Sequence, residues 1–257
     1  MIAFLLGGTP ARNFDDPAGP RFLGEAPRAG APRHPAGAVT VATYNLMHGD
    51  RLPAAMEVIA RTPQLASADI VAVQEADERA MATLAARFGW HYVYYPSAVH
   101  PLSGRNFGPG LLSPWPLQAD RKLPLPHLGR RRGLRRIAVR ALATVGGTTV
   151  AAWAVHLGTM FELSFAQQAE QARVVAVEAA AEAGPVVVAG DLNRRGVARE
   201  FAAAGFDWPT RHVGATHLVW SFDHVFIRGL PGPARAGRVR HPANPSDHLP
   251  VWAELRA

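Results

Sequence analysis

The sequence predicts an α/β domain, and three observations carry that expectation. Short β-branched apolar runs recur along the chain, as in Ile70-Val71-Ala72-Val73 and Val186-Val187-Val188, each too short for a helix. Between such runs lie longer stretches with apolar residues at helical spacing, such as Met81, Leu84, Ala85 and Phe88. Turn chemistry separates the elements, with Gly146-Gly147 sitting between two strand-like runs where a tight hairpin needs it.

Taken in order, residues 1–38 form a Pro-, Gly- and Arg-rich leader, whose Pro10, Pro17, Pro20, Pro27, Pro32 and Pro35 cannot sustain a helix or a central strand. The folded unit, residues 39–257, opens with a strand marked by Val39, Val41 and Tyr44 and ending at Asn45. Pro53 suits the first turn of a helix reaching about Arg61. A second buried strand ends in Gln74 and Glu75, and Asp77 can cap the following helix. Strands follow at 90–95 and 110–113, then an extended segment carrying Lys122. Residues 138–145 and 148–155 pair across the two glycines, and the second of these strands delivers His156. Residues 164–183 read as a helix with Phe165, Ala169, Ala172, Val175 and Ala179 near one face, stopped by Gly184 and Pro185. Next come the strand leading to Asp191, a short helix at 197–204, an irregular region at 208–218 and a strand at 219–227 carrying Asp223. A Gly and Pro bend at 230–233 and a final strand after Asp247-His248 complete the chain. No repeat or internal linker divides the residues after 39, so one domain is expected.

Composition narrows the partners. Of 257 residues, 48% are hydrophobic and 18% charged, enough to bury a core and unlike a disordered chain. The formal net charge of +7, from 27 Lys plus Arg against 20 Asp plus Glu, favours nucleic acid, phosphorylated molecules or anionic lipid. Arg130, Arg131, Arg132, Arg135 and Arg136 concentrate that charge at what reads as a hairpin tip, with a solvated loop as the alternative. The absence of Cys excludes disulfides, thiolate metal sites and a cysteine nucleophile. No apolar run approaches the roughly 18 residues of a membrane span, and the run from Ile2 to Leu6 is short even for a signal core. A monomer is expected.

The polar strand ends hold the chemistry. Asn45, Glu75, His156, Asp191, Asn193, Asp223, Asp247 and His248 each sit at the end of, or inside, an apolar run, where an unpartnered polar group is costly. With Leu192 turned inward, period-two alternation aims Asp191 and Asn193 the same way. A turn is the competing reading of that stretch, since Gly, Asp and Asn are ordinary turn residues. Oxygen ligands and imidazoles without sulfur suit a hard divalent ion such as Mg²⁺, with Glu75 the foremost ligand candidate. His48, His224 and Arg105 read as structural or peripheral, and Trp115, Trp153 and Trp220 as packing residues.

Together Thr43-Tyr44-Asn45, Gln74-Glu75, "GPGLLSPWP" (108–116), His156-Leu157, Gly190-Asp191-Leu192-Asn193, Phe222-Asp223-His224 and Ser246-Asp247-His248 resemble the ordered motifs of the endonuclease/exonuclease/phosphatase superfamily, over residues 39–255. The resemblance implies a four-layer α/β sandwich with two central mixed, mainly antiparallel β-sheets flanked by helices. It also implies metal-dependent cleavage of a phosphoester by in-line attack of water, with Mg²⁺ as the ion and Mn²⁺ or Ca²⁺ as substitutes. On that basis Glu75 binds the metal, with Asn45 and Asp247 near it directly or through water. Asp191 and Asn193 orient or activate water and hold a phosphate oxygen, Asp223 orients His248, and His156 and His248 bond the phosphoryl oxygens. The general base is left between Asp191 and His248.

Nuclease is the leading subclass because of the Arg cluster, although Leu46-Met47 and His156-Leu157 depart from the abasic-site endonucleases. A phospholipid (sphingomyelinase-like) or inositol-phosphate hydrolase is the second reading, its basic surface meeting a head group. A non-catalytic nucleic-acid or phosphate-binding module on the same fold is the third. The stretch "DPAGPRFLG" (16–24) resembles the mature start of exported bacterial members and favours an extracytoplasmic setting.

Overall fold

A computed structural model describes residues 10–26, 38–241 and 245–256; the run from Ile2 to Leu6 and the prolines Pro27, Pro32 and Pro35 lie outside the described residues. In chain order the elements are β1 (Arg12–Asn13), β2 (Phe22–Gly24), β3 (Ala38–Asn45), α1 (Leu52–Arg61), α2 (Pro63–Ala66), β4 (Ile70–Ala76) and α3 (Glu78–Phe88). Next come β5 (His91–Tyr94), β6 (Ala98–Val99), β7 (Asn106–Ser113), β8 (Leu117–Leu128), β9 (Arg135–Val145), β10 (Thr148–His156) and α4 (Phe165–Ala180). The chain continues through β11 (Val186–Asp191), α5 (Ala198–Ala203), β12 (Asp223–Arg228), β13 (Pro233–Arg238) and β14 (Val251–Arg256).

Alternation along the strands sets the layers. In β3, Val41 joins a core between two sheets while Ala42 and Tyr44 join a core beneath helices, and in β11 Val187 and Ala189 face the first kind of core while Val186 and Val188 face the second. Both faces of the central strands are therefore covered, which is why they read as continuous apolar runs rather than alternating ones. The first sheet runs β1-β6-β7-β4-β3-β14-β13, with β5 also pairing β7 and β2 pairing β5. The second runs β12-β11-β10-β9-β8. Among the described residues only β3–β4 and β10–β11 pair parallel, so both sheets are mixed and mainly antiparallel. Helices α1 to α3 pack outside the first sheet, and α4 and α5 outside the second, completing the four-layer α/β sandwich.

Local chemistry explains the boundaries. The Asp77 side chain accepts from Ala80 N at 2.7 Å to start α3, and Gly89, left-handed, ends it. Ser164 and Gln167 form a reciprocal capping box at the start of α4. The Gly146-Gly147 turn sets Val145 opposite Thr148, as the hairpin reading requires. Three expectations change. The strand expected at 219–227 begins at Asp223, because Thr216 to Trp220 close a tight turn first. The bend at 230–233 leads into edge strand β13, where Pro233 is tolerated because its missing N–H faces no partner strand. Within the proline-rich leader, β1 and β2 add to β6 and β5.

Candidate active site

Register brings the site together at one end of the sandwich. His156 pairs with Asp191 across β10 and β11, and Asp191 pairs with Asp223 across β11 and β12. All three share the parity of Ala154, Ala189 and Val225, whose side chains face the space between the sheets. Asn45, at the end of β3, comes from the opposite sheet with the parity of Val41 and donates from Nδ2 to Asp191 Oδ2 at 3.0 Å. Glu75 does not follow alternation, for its parity is that of Val71 and Val73, which face the helices. A register shift between Val73 and Ala76 and a φ of 57° at Glu75 turn it into the site instead.

A cavity of ≈ 310 Å³ is lined by Glu75, His156, Asp191, Asn193, Asp247 and His248 among others. Asn45 and Asp223, buried beneath, support them. Asp223 Oδ2 lies 2.8 Å from His248 Nδ1, holding the imidazole so that Nε2 sits 3.7 Å from Asp191 Oδ2. The loop carrying His248 is fastened by Ser246, whose Oγ donates to Asn45 O at 2.7 Å and accepts from His248 N at 3.1 Å. Asn193, at φ 54°, donates from its backbone N to Asp191 Oδ1 at 2.8 Å and from Nδ2 to Leu157 O at 2.9 Å. The polar pair therefore does face one cavity, but the strand ends at Asp191 and a left-handed turn, not continued alternation, places Asn193.

Electrostatics follow from this packing. Burial opposes a charge on His248, but the Asp223 and Asp191 carboxylates outweigh it and raise its pKa to about 10. Burial raises Asp191 to about 6 even though the His248 cation beside it pulls the other way. Burial, Arg136 and neighbouring imidazoles hold His156 well below the usual histidine range.

Several partners were not legible in the sequence. Arg136 Nη1 lies 2.9 Å from Nε2 and 3.1 Å from Nδ1 of His156, while Nη2 donates to Glu162 Oε2 at 2.7 Å. Nη1 lies within reach of both ring nitrogens at once, so Arg136 sets a second cation against the ring and, with burial, disfavours protonation of His156. His48, expected to be peripheral, approaches Glu75 Oε2 to 3.4 Å. His217, unmarked by any motif, lies 3.3 Å from Asp247 Oδ2, its ring centre 4.7 Å from that of His248 and tilted by 41°. Trp220, expected to pack in the core or on a sheet face, is 50% exposed at the cavity mouth.

The arginine cluster divides. Arg130 and Arg131 are exposed and Arg132 is half-buried on the tip joining β8 to β9. Arg135 is held by Asp15 and Leu125 O, and Arg136 is buried against His156, so neither presents a free cation to a partner as the sequence suggested. Lys122 is likewise buried, donating to Phe14 O and Gly19 O.

The carboxylates of Glu75 and Asp247 on the cavity wall fit a hard cation. Among the described residues, two groups of carboxylate and imidazole atoms lie close enough to share an ion, His217 with Asp247 and His248, and Asp191 with Asp223 and His248. Asp223 Oδ1 is buried without a hydrogen-bond partner. Asn45 Oδ1 accepts from Met47 N at 3.0 Å, while Nδ2 bridges Asp191 and Glu75 Oε1, at 3.3 Å from the latter. Met47 N can only donate, so the amide cannot be turned over without losing these bonds.

The cavity lies at one end of two packed sheets, and comparison with known proteins identifies the family that shares this fold. The chain belongs to the endonuclease/exonuclease/phosphatase family, whose sequence profile matches residues 42–248. The family hydrolyses phosphoesters and is typically dependent on a divalent metal. No curated protein sequence matches the chain. Among solved structures, a family protein from Beutenbergia cavernae superposes with a TM-score of 0.68 at 22% identity, covering 86% of this chain and 72% of that one. D. rerio TDP2 complexed with single-strand DNA product gives 0.66 at 16% identity, over 86% and 99% of the two chains. A Bacteroides thetaiotaomicron mannosyl-6-phosphatase gives 0.63 at 18% identity, over 85% and 100%. At these identities the likeness is one of fold.

Proposed function

We propose that the protein is a phosphodiesterase that uses a divalent cation, Mg²⁺ in the first instance, and an in-line water nucleophile. The observation that carries this reading is the convergence of Asp191, His248 and His156 on one cavity, with Asp223 beneath His248 and with Glu75 and Asp247 on the wall. Glu75 and Asp247 would hold the ion, with His217 adjoining Asp247. When bound, the ion supplies positive charge to the phosphoryl group.

The chain's own groups divide the remaining work. His248, kept cationic by Asp223, donates from Nε2 to a phosphoryl oxygen as charge builds there. It has no free base site at neutral pH, so Asp191 takes the proton of the attacking water, its carboxylate aimed by Asn45 and by Asn193 N. Asn193 keeps one Nδ2 hydrogen and its carbonyl oxygen to orient that water. Neutral His156 offers its single N–H to a second phosphoryl oxygen while Arg136 fixes the ring.

Hydrolysis of bis-p-nitrophenyl phosphate with Mg²⁺, Mn²⁺, Ca²⁺ or chelator tests the reading. Asp191→Ala and His248→Ala are expected to fold as the parent does and to lose about 10²-fold or more in kcat. Chelator should abolish turnover. An Asp191→Ala protein as active as the parent, or full activity in chelator, would overturn the assignment.

A further inference from the structure

Two turns flank the cavity mouth, and both project apolar side chains into solvent. On one side, residues 217–220 form a hairpin turn in which His217 N donates to Trp220 O at 3.0 Å and Trp220 N to His217 O at 2.7 Å. Its tip is Leu218-Val219, with 82% and 81% of their surfaces exposed, and Trp220 beside them is 50% exposed. Leu218 has a φ of 48°, where Gly or Asn sits without strain and Leu does not. The tip therefore combines strain with exposed aliphatic surface. On the other side, Phe161 is 72% exposed in a turn closed by Leu163 N donating to Thr159 O. A second depression of ≈ 530 Å³, bordered by Val219, Trp220 and Phe165, continues the apolar surface away from the cavity.

Charge completes the pattern. Arg130 N donates to Glu162 O at 3.1 Å, so the exposed Arg130 and Arg131 stand next to the turn that bears Phe161. Aliphatic and aromatic tips bordered by cations are the signature of a surface that enters the head-group region of an anionic lipid layer. A nucleic-acid track would need cations along the rim, and those near the second depression are engaged. Arg194 lies over Phe165 and donates to its carbonyl, while Arg195 lies over Trp208 and donates to Arg211 O. Leu218 and Val219, moreover, cannot stack a base.

We propose that the turns at 159–163 and 217–220, with Arg130 and Arg131, dock the protein on an anionic lipid surface and present a phospholipid head-group phosphodiester to the cavity. This deepens the phosphodiesterase reading and rests on it for the substrate but not for the docking. Co-sedimentation of the full chain with vesicles of phosphatidylcholine, with or without phosphatidylglycerol, is carried out in chelator, so that binding is read apart from catalysis. The parent should bind the anionic vesicles more tightly than the neutral ones. Val219→Asp should weaken that binding by about tenfold or more, and Arg130→Ala combined with Arg131→Ala should remove the preference for anionic lipid. Val219→Asp should still hydrolyse bis-p-nitrophenyl phosphate at the parent's rate, which shows the fold and the catalytic groups to be intact. A parent that ignores both kinds of vesicle, or a Val219→Asp protein that binds them undiminished, would overturn the docking. Tighter binding of a single-stranded oligonucleotide than of anionic vesicles would replace it with the nucleic-acid reading. Failure of the phosphodiesterase reading would instead appear as vesicle binding without hydrolysis of the soluble ester.

Discussion

Among the described residues seven other than glycine have positive φ, and five of them, Met47, His48, Glu75, Asn193 and Leu218, lie in or beside the cavity, the others being Ala119 and His127 in β8. A residue other than glycine held there costs on the order of 1 kcal/mol, so strain gathers where side chains must be aimed rather than where the chain turns most freely. Buried imidazoles add a second local cost. His224 is packed edge-on against Trp208, with Nε2 near Ser221 O and Nδ1 without a partner, and burial lowers its pKa from 6.5 to about 4. The unfolded chain therefore takes up the proton first as the solution is acidified. The stability from keeping this ring neutral is complete above pH 6.5 and is lost as pH falls toward about 4. The loss amounts to about 3 kcal/mol over that window. Urea unfolding of the parent and of His224→Phe between pH 7 and 4 should show a flatter acid limb for the variant, since all other titrations are shared; parallel curves would contradict the assignment.

At the level of the element, β10 and β11 touch so closely beside the site that one methyl group decides their spacing. A Cβ on Gly190 would lie 2.0 Å from Val155 O, which is backbone and cannot rotate away. Gly190→Ala is expected to destabilise the protein by about 1–3 kcal/mol. It should also lower activity, because His156 and Asp191, the next register pair, would be pushed apart. Chemical denaturation together with the bis-p-nitrophenyl phosphate assay reads both effects, and a variant unchanged in each would show that the strands can separate freely. The elements themselves were largely legible. The apolar runs leading to Asn45, Glu75, His156 and Asp191 marked strands because a strand covered on both faces needs such a run, and Ser164 and Asp77 marked helix starts. The turn at 217–220 was not legible, because Val219 and Trp220 have strand-forming side chains and only the bonds between His217 and Trp220 override that preference.

Over the whole molecule, the segment 12–24 ties the two sheets together. Its strands β1 and β2 add to the first sheet, while Arg21 bonds Asp120 in β8 and Asp15 bonds Arg135 in β9 of the second. Lys122, in β8, reaches into this strap with bonds to Phe14 O at 2.9 Å and Gly19 O at 2.5 Å, and burial lowers its pKa. Lys122→Met should release the strap, costing about 1–3 kcal/mol and speeding tryptic cleavage at Arg12 and Arg21. Limited proteolysis followed by mass spectrometry reads this directly, and cleavage no faster than in the parent would show that the strap holds without Lys122.

What the sequence determined by itself was the set of elements and the polar residues at their ends, since helical spacing, strand alternation and caps act over a few residues. The motif order also carried the family and the four-layer architecture, and it named Glu75, His156, Asp191, Asn193, Asp247 and His248 among the residues that line the cavity. Only the tertiary structure decided how those residues are used. It placed Arg136 on His156 rather than on a polyanion, turned Asn45 into a bridge between carboxylates, brought His48 and His217 beside Glu75 and Asp247, and left Leu218 and Val219 in solvent. These outcomes depend on register between distant strands and on left-handed backbone at single residues, and neither is written in the local pattern that makes a strand or a helix.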